Sequence, residues 1–243
     1  MDQIQCSKPT DAALARLLES HPAVVFNDVV SSGLEFWQGD WNRKLEIWAP
    51  GGEVFGLPEL MDNNPLVCAD NVSLPPPAST LALTALGPLF RAGLVLEPPV
   101  VQTNAPLGEF DTDGWWETLG WTGGVDIVSE ARDMGTVLSA QAMAVVSTLD
   151  DWDAIDSLYE EAYGRTYYVR LDDTHEWHAS LVENKPHAVY RIRLTPDEPN
   201  SLITVQVMAD RNGKCGAAQM VHTFNVMAGF EEFLGIPDSF AAV

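Results

Sequence analysis

The sequence is poor in positive charge. Of its 243 residues, only 13 are lysine or arginine, against 35 aspartate or glutamate, and the net charge is −22. Such a field repels polyanions, and nucleic-acid binding depends on basic side chains that neutralise phosphates. We therefore expect no nucleic-acid partner. A phosphorylated ligand would need a local basic pocket.

Cysteines and long apolar runs are also scarce. Cys6, Cys68 and Cys215 are far apart and form no C-x-x-C pattern, so neither a disulfide framework nor a zinc site is indicated. No apolar run reaches the roughly 18 residues of a membrane-spanning helix. The N-terminal residues lack the basic start and apolar stretch of a secretion signal. We expect a cytoplasmic protein without a membrane partner.

Apolar periodicity and proline positions predict both helices and strands. Leu14, Leu17 and Leu18 form a stripe typical of an amphipathic helix, and Pro75–Pro77 interrupt the chain. Helices are predicted at residues 10–19, 78–92, 150–163 and 217–233, strands at 23–30, 42–49, 65–69, 100–103, 137–148, 167–171, 188–194 and 202–209, and a loop-rich stretch at 105–124. This order predicts an α/β fold in which a mixed or antiparallel sheet carries helices on one face.

Val54–Leu60, VFGLPEL, and Lys214–Gly229, KCGAAQMVHTFNVMAG, are the most distinctive segments of the chain. The first resembles the V-Y-G-L-P-E-L segment of N-acetyl-gamma-glutamyl-phosphate reductase, an NADPH-dependent reductase of acyl phosphates. The second is similar to that family's C-terminal helix, with Lys214, Gln219 and Asn225 in register. With gaps, the resemblance covers nearly the whole chain.

This resemblance implies a shortened form of the semialdehyde dehydrogenase fold. Residues 1–78 would form a truncated Rossmann-like domain, because each strand–helix–strand unit takes roughly 30 residues and only two or three strands fit. Residues 79–243 would form an α+β domain with a mixed or antiparallel sheet. Its last helix, at 217–233, would pack back on the first domain. The family forms oligomers through its second domain, which implies a homodimer.

The residues that carry the family's chemistry are missing at the matching positions. Its glycine-rich phosphate turn corresponds to Cys6–Asp11, CSKPTD, which has no glycine and places Asp11 where the phosphate would lie. Its nucleophilic cysteine corresponds most nearly to Pro77, and its histidine motif has no counterpart between Gly108 and Val128. The resemblance therefore implies that no cofactor is bound and that reductase activity is lost. A surviving reductase would need a displaced thiol, and Cys68 lacks the positively charged surroundings that make a thiol reactive.

The vacated cofactor cleft between the two domains is the expected functional site. By resemblance it is lined by Asn104–Phe110, Glu130–Asp133 and the start of the last helix. Glu130, Arg132 and Asp133 would bring two carboxylates and a guanidinium together, and such a group can tune one carboxylate as a general base. A surface ion pair is the alternative interpretation.

One histidine and three tryptophans complete the predicted site. His222 follows Gln219 by about one helical turn, and by resemblance this helix face points at the old nicotinamide position. We predict that His222 transfers a proton, with helix packing as the alternative. An aromatic wall suits a flat, apolar or cationic ligand, whereas burial in the core or at a subunit contact would make the tryptophans structural. The side chains predicted to contact a substrate are Asn104, Trp115, Trp116, Trp121, Gln219 and Asn225.

A second pair of histidines lies in the polar segment Asp172–His178, DDTHEWH. The spacing of His175 and His178 suits a metal ion, but no further ligand lies at a recognisable distance. We therefore predict a solvated loop and no metal.

These observations predict a non-redox, cofactor-independent enzyme that acts on a small molecule in a specialised pathway. A pocket without its cofactor leaves room for a larger substrate, and positioning alone can then accelerate a reaction. Cyclisation, isomerisation and elimination are the expected reaction types. The alternative is a catalytically inactive relative that binds a partner protein or a ligand, with the acidic surface as the recognition element.

Overall fold

The computed structural model describes residues 3–47, 54–61, 63–108, 114–147, 153–173 and 176–240. They form two six-stranded mixed sheets, which we call sheet A and sheet B, with helices packed against them. This architecture confirms the predicted α/β fold class.

Sheet A is built from the N-terminal third of the chain. Its strands are β1 (Ile4–Pro9), β2 (Val24–Ser31), β3 (Leu34–Gln38), β4 (Trp41–Ile47), β5 (Val54–Phe55) and β6 (Asn71–Leu74). They are hydrogen-bonded in the order β2-β1-β3-β4-β6-β5. β1 runs parallel to β2 but antiparallel to β3, so the sheet departs from the all-parallel arrangement of a full Rossmann domain.

Two helices, α1 (Ala12–Ser20) and α2 (Asn63–Cys68), belong to the same part of the chain. The carboxylate of Asp11 accepts a hydrogen bond of 2.7 Å from the backbone amide of Leu14 and so caps the N-terminus of α1. Leu14, Leu17 and Leu18 are buried, as their spacing predicts.

Sheet B occupies the rest of the chain. Its strands are β7 (Val100–Thr103), β8 (Asp126–Ser129), β9 (Val137–Ser147), β10 (Val169–Leu171), β11 (Ala188–Thr195) and β12 (Asn200–Asp210), in the order β10-β11-β12-β9-β7-β8. The accompanying helices are α3 (Pro77–Arg91), α4 (Asp153–Tyr163) and α5 (Ala217–Ala228). Short 3-10 helices span Pro58–Leu60, Glu117–Leu119 and Ala179–Leu181.

One face of sheet B forms the larger core. Alternate residues of β9, such as Ala140, Ala142 and Ala144, are buried on this inner face. Their small side chains let α3 lie close to the sheet, and its residues 77–90 are all buried. The intervening residues of β9 point to the opposite, outer face.

The last helix lies on the other sheet. α5 shares a core with sheet A, α1 and α2, and the rings of Phe224 and Phe36 pack edge to face with centroids 5.0 Å apart. Because α5 follows β12, the chain leaves sheet B and returns to sheet A at this point. The division into domains at residue 78 stays a prediction.

Two predicted elements differ from the structure for identifiable reasons. Residues 65–69 were expected to be a strand, but residues 65–68 belong to α2, because Pro65 falls in the first helical turn, where its missing amide costs no hydrogen bond. The last helix ends at Ala228 rather than at 233, because Gly229 adopts a φ of 76° and closes it.

Other differences concern strands. Cys6–Asp11 was interpreted as a turn, yet β1 continues through Pro9. β3, β5, β6 and β8 were not predicted. The first residues of the predicted helix at 150–163 and the end of the predicted strand at 42–49 lie outside the described residues. None of the helices in the described parts is long and apolar enough to cross a membrane.

His187 precedes β11 and makes the fold sensitive to acid. Burial lowers the pKa of His187 from 6.5 to about 4, and the positive charges of Arg170 and Lys185 add to this shift. The unfolded chain takes up the proton near pH 6.5 and the folded chain only near pH 4. Stability is therefore complete above pH 6.5 and falls as the pH drops towards 4.

We predict that His187→Gln removes about 2 to 3 kcal/mol of the stability difference between pH 7 and pH 4.5, the amount that such a pKa difference implies. Urea unfolding at both pH values measures it. His178→Gln, at an exposed histidine, is the matched control. An unchanged pH dependence in His187→Gln would assign the acid sensitivity to other groups.

Candidate functional site

The two most distinctive sequence segments meet in space. Glu59, in the 3-10 helix Pro58–Leu60, accepts a hydrogen bond of 2.5 Å at its Oε1 from Lys214 Nζ, and both side chains are almost fully buried. Lys214 also donates to the side-chain oxygen of Gln219, one turn before His222 on α5. We call Glu59, Lys214, Gln219 and His222 the buried charge cluster.

Electrostatics favour an ion pair inside this cluster. Burial opposes ionisation of Glu59, but the charges of Lys214 and His222 and the hydrogen bond from Lys214 together hold the pKa of Glu59 below its usual range. Burial lowers the pKa of Lys214, and the adjacent carboxylate opposes that shift. The carboxylate form of Glu59 is therefore favoured beside Lys214.

His222 stands between two carboxylates. Its Nε2 lies 3.0 Å from Oε2 of Glu232, and its Nδ1 lies 3.6 Å from Oε1 of Glu59. The Glu232 side chain is half exposed, so the three residues form a polar path from solvent to the interior. The hydrogen bond from His222 lowers the pKa of Glu232. A histidine held in this way can accept and donate protons.

Two atoms of the cluster are buried without a hydrogen-bond partner among the described residues. They are Oε2 of Glu59 and Nδ1 of His222. Each such atom costs roughly 1 to 3 kcal/mol. The side chains of Glu59 and His222 are almost fully buried. The cluster is thus closed in this conformation.

The chain after α5 covers the cluster. Asn225 Nδ2 donates hydrogen bonds to the carbonyl oxygens of Glu232, at 3.0 Å, and Leu234, at 2.8 Å. The hydroxyl of Tyr168 also reaches the Glu232 carbonyl, at 3.4 Å, and the Tyr168 ring lies 4.5 Å from that of His222. We call residues 229–240 the covering segment.

A cavity of about 580 Å³ lies on the outer face of sheet B. Its floor includes Gln102 of β7, Gln141 of β9 and Gln206 of β12, which are direct cross-strand partners. Gln206 Nε2 donates a hydrogen bond of 3.2 Å to Gln141 Oε1. Trp177 and His178 form part of the wall. We call this space the outer-face cavity.

Three of the predicted site residues line this cavity: Asn104, Glu130 and Arg132. Asn104 is held firmly, because its side chain donates to the backbone oxygens of Arg132 and Val137 and accepts from the Ser139 amide. Glu130, Arg132 and Asp133 are exposed, and no ion pair joins them in the described residues. The carboxylate of Asp133 accepts from the amide of Gly135 within its own turn.

The predicted tryptophan wall lies elsewhere. Trp115 and Trp116 are buried in the inner core of sheet B. Trp121 stacks on Phe90 of α3, with ring centroids 5.4 Å apart, and its indole nitrogen donates to the Gly124 oxygen. These positions favour the interpretation of the tryptophans as core residues.

The predicted site residues on α5 lie in a third part of the structure. Gln219 and His222 belong to the buried charge cluster, while Asn225 accepts a hydrogen bond at 3.0 Å from the buried His21 ring and anchors the covering segment. The ten predicted side chains therefore lie in three separate surroundings instead of one cleft.

Several important residues were not predicted for the site. Glu59 and Lys214 lie one in each distinctive segment, so pairing those segments was the available signal. No sequence signal pointed to Tyr168 or Trp177. The row of glutamines depends on strand register, which composition does not reveal.

Of the three cysteines, Cys6 and Cys215 are buried and Cys68 is exposed. Burial raises the pKa of Cys6 and of Cys215 to about 12, which keeps both thiols protonated. In the described part of the chain, no group of three or more histidine, cysteine or acidic side chains is arranged to hold a metal ion. His175 lies outside the described residues.

No protein-family model matches the sequence, and no curated protein sequence matches it significantly. Solved structures do match the fold. Aspartate semialdehyde dehydrogenase II from Vibrio cholerae, complexed with ASA, gives a TM-score of 0.62 at 12% identity, covering 94% of this chain and 99% of that chain. A second structure of that enzyme gives 0.56 at 12% identity, covering 91% and 97%. The chain therefore has a semialdehyde dehydrogenase-like fold, as predicted, and identity this low shows the fold alone.

The buried ion pair yields a prediction about stability. We predict that Glu59→Gln lowers the free energy of unfolding by about 3 to 5 kcal/mol, because it leaves the Lys214 ammonium buried without a countercharge. The double variant Glu59→Gln/Lys214→Met should recover most of this loss. Urea unfolding at pH 7 measures both.

The exposed pair of Lys8 and Glu19, 3.8 Å apart, supplies the control. Glu19→Gln should change stability by less than about 1 kcal/mol. A double variant no more stable than Glu59→Gln would contradict the explanation by an unpaired charge.

Proposed function

We propose that the chain is a non-redox protein that binds a small polar molecule in the outer-face cavity. The cavity itself carries this proposal. Its volume of about 580 Å³ falls within the roughly 300 to 1,000 Å³ of small-molecule sites. Hydrogen-bonding side chains project into it from three neighbouring strands.

Loss of redox chemistry is supported by local features of the old site. The Asp11 carboxylate caps α1, where the family's phosphate would lie, and its negative charge opposes a phosphate there. Pro77 stands nearest the position of the nucleophile, at the start of α3. The V. cholerae enzyme is complexed with ASA, so the scaffold is compatible with small-molecule binding.

We predict that a library of uncharged and charged metabolites contains compounds that raise the thermal unfolding midpoint of the protein. A free ligand at about 100 times its dissociation constant stabilises the folded state by about 2.7 kcal/mol. Gln141→Trp, which fills the cavity floor, should abolish the shift. The control is Thr204→Trp, on the same sheet but outside the cavity lining. Equal shifts in both variants would place the ligand elsewhere.

A second candidate function is acid–base catalysis at His222, of the isomerase, lyase or cyclase type. The observation that favours it is the pair of unpartnered atoms, His222 Nδ1 and Glu59 Oε2, beside a path to solvent through Glu232. Reaction there requires the covering segment to move.

We predict for this second function that a bound compound gains deuterium when incubated with the protein in D2O, as seen by mass spectrometry. His222→Gln should slow the exchange about 100-fold or more, the usual contribution of a general base. Glu19→Gln, at an exposed residue of α1, is the control. Exchange unaffected by His222→Gln would exclude His222 as the proton-transfer group.

A further inference from the structure

The floor of the outer-face cavity is a row of carboxamides. Gln102 pairs in register with Gln141, and Gln141 with Gln206, so three amide side chains lie side by side across β7, β9 and β12. The hydrogen bond between Gln206 and Gln141 uses one donor and one acceptor. The remaining amide atoms of the pair are left for a ligand, and they include both a donor and an acceptor whichever way the amides are turned.

The wall contains an aromatic ring held in one place. Trp177 is half buried and packs against the small core formed by Val137, Val182, Val189 and Met208. The guanidinium of Arg191 lies 4.7 Å from its ring centroid. A ring supported in this way loses little conformational freedom when it stacks on a flat ligand.

The outer-face cavity is lined by one negative and one positive side chain, whose charges cancel. Glu130 and Arg132 are its charged side chains, and His178 is the titratable one. The surrounding molecule carries a net charge of −22. A phosphate or carboxylate ligand would therefore meet a repulsive field without an excess of positive charge at the site.

Together these features define a class of ligand. We infer that the outer-face cavity binds an uncharged, flat heterocycle whose edge presents adjacent hydrogen-bond donors and acceptors, the chemistry of a nucleobase or a nucleoside. Glutamine amides pair in two-point fashion with such edges, and aromatic side chains stack on such rings. The inference rests on the proposed binding function and narrows it to one chemistry.

Isothermal titration calorimetry with defined probes tests this inference. The probes are uracil, adenine, uridine and adenosine, with uridine and adenosine monophosphates as charged counterparts and glucose as a neutral, non-planar compound. We expect binding of at least one base or nucleoside, and weaker binding of the matching monophosphate. A base that binds as well as its nucleoside identifies the ring as the recognised part.

Variants connect binding to the named side chains. Trp177→Ala should weaken binding about 10-fold, in line with the stacking of one base, and Trp177→Phe should restore most of it. Gln141→Leu should weaken binding about 10-fold, because it removes an amide that hydrogen-bonds the edge of the ligand. The matched controls lie on sheet A: Trp41→Ala and Gln5→Leu, both at exposed positions, should bind normally. Circular dichroism checks that each variant is folded.

The possible outcomes distinguish failure of the inferred ligand class from failure of the proposed binding function. Heterocycle binding that survives both Trp177→Ala and Gln141→Leu overturns the inference. A second outcome is that no heterocycle binds, while glucose or another library compound binds and loses its binding in Gln141→Trp. This outcome overturns the inference but retains the proposed function. A third outcome is that no ligand binds and that light scattering shows a dimer, which Gln141→Trp dissociates. This outcome overturns both the inference and the proposed function, because the cavity is then a subunit contact.

Discussion

The ion pair between Glu59 and Lys214 is the constraint around which the two sheets are joined. Glu59 follows the edge strand of sheet A, and Lys214 lies in the turn where the chain leaves sheet B for α5. Two buried charges in a poorly polarisable interior repay their desolvation only if each keeps its partner. Lys214 lies three residues before α5 and contacts Gln219 of that helix, so the pair links the start of α5 to Glu59. Stability alone does not explain such a pair, since apolar side chains can often replace one without loss.

Ordinary packing fills the inner face of sheet B. α3 is buried along residues 77–90, Trp115 and Trp116 pack into the same core, and Trp121 stacks on Phe90. A ligand would have to displace these contacts to enter between the sheets. The outer face of sheet B offers space without that cost, because its floor is already formed by paired strands and its side chains are polar.

Sequence patterns predicted what depends on local spacing. The stripe of Leu14, Leu17 and Leu18 predicted α1, and the long strand-like run at residues 137–148 predicted β9. The patterns failed where a single backbone position decides the outcome. Pro65 was interpreted as part of a strand although it can begin a helix, and Gly229 ended α5 earlier than its apolar residues suggested.

The candidate site was harder to predict because it depends on tertiary arrangement. Closeness in sequence suggested that Glu130, Arg132 and Asp133 interact, but they are exposed residues of a loop without a shared partner in the described structure. Conversely, Glu59 and Lys214 are 155 positions apart and touch. The glutamine row arises only when three strands adopt one register, a property of the whole sheet.

Asn184 contacts both the end of β12 and the covering segment. This residue has a φ of 56°, which asparagine tolerates better than most side chains. Its amide donates to the buried carboxylate of Asp210 at the end of β12, and its carbonyl accepts from the amide of Phe240 in the covering segment. Residues 177–179, which belong to the wall of the cavity, precede Asn184 by five residues. We expect a displacement of that wall to act on the Asp210 contact and on the covering segment. For this reason, effects of a variant at one site on the other do not by themselves show that both bind the same molecule.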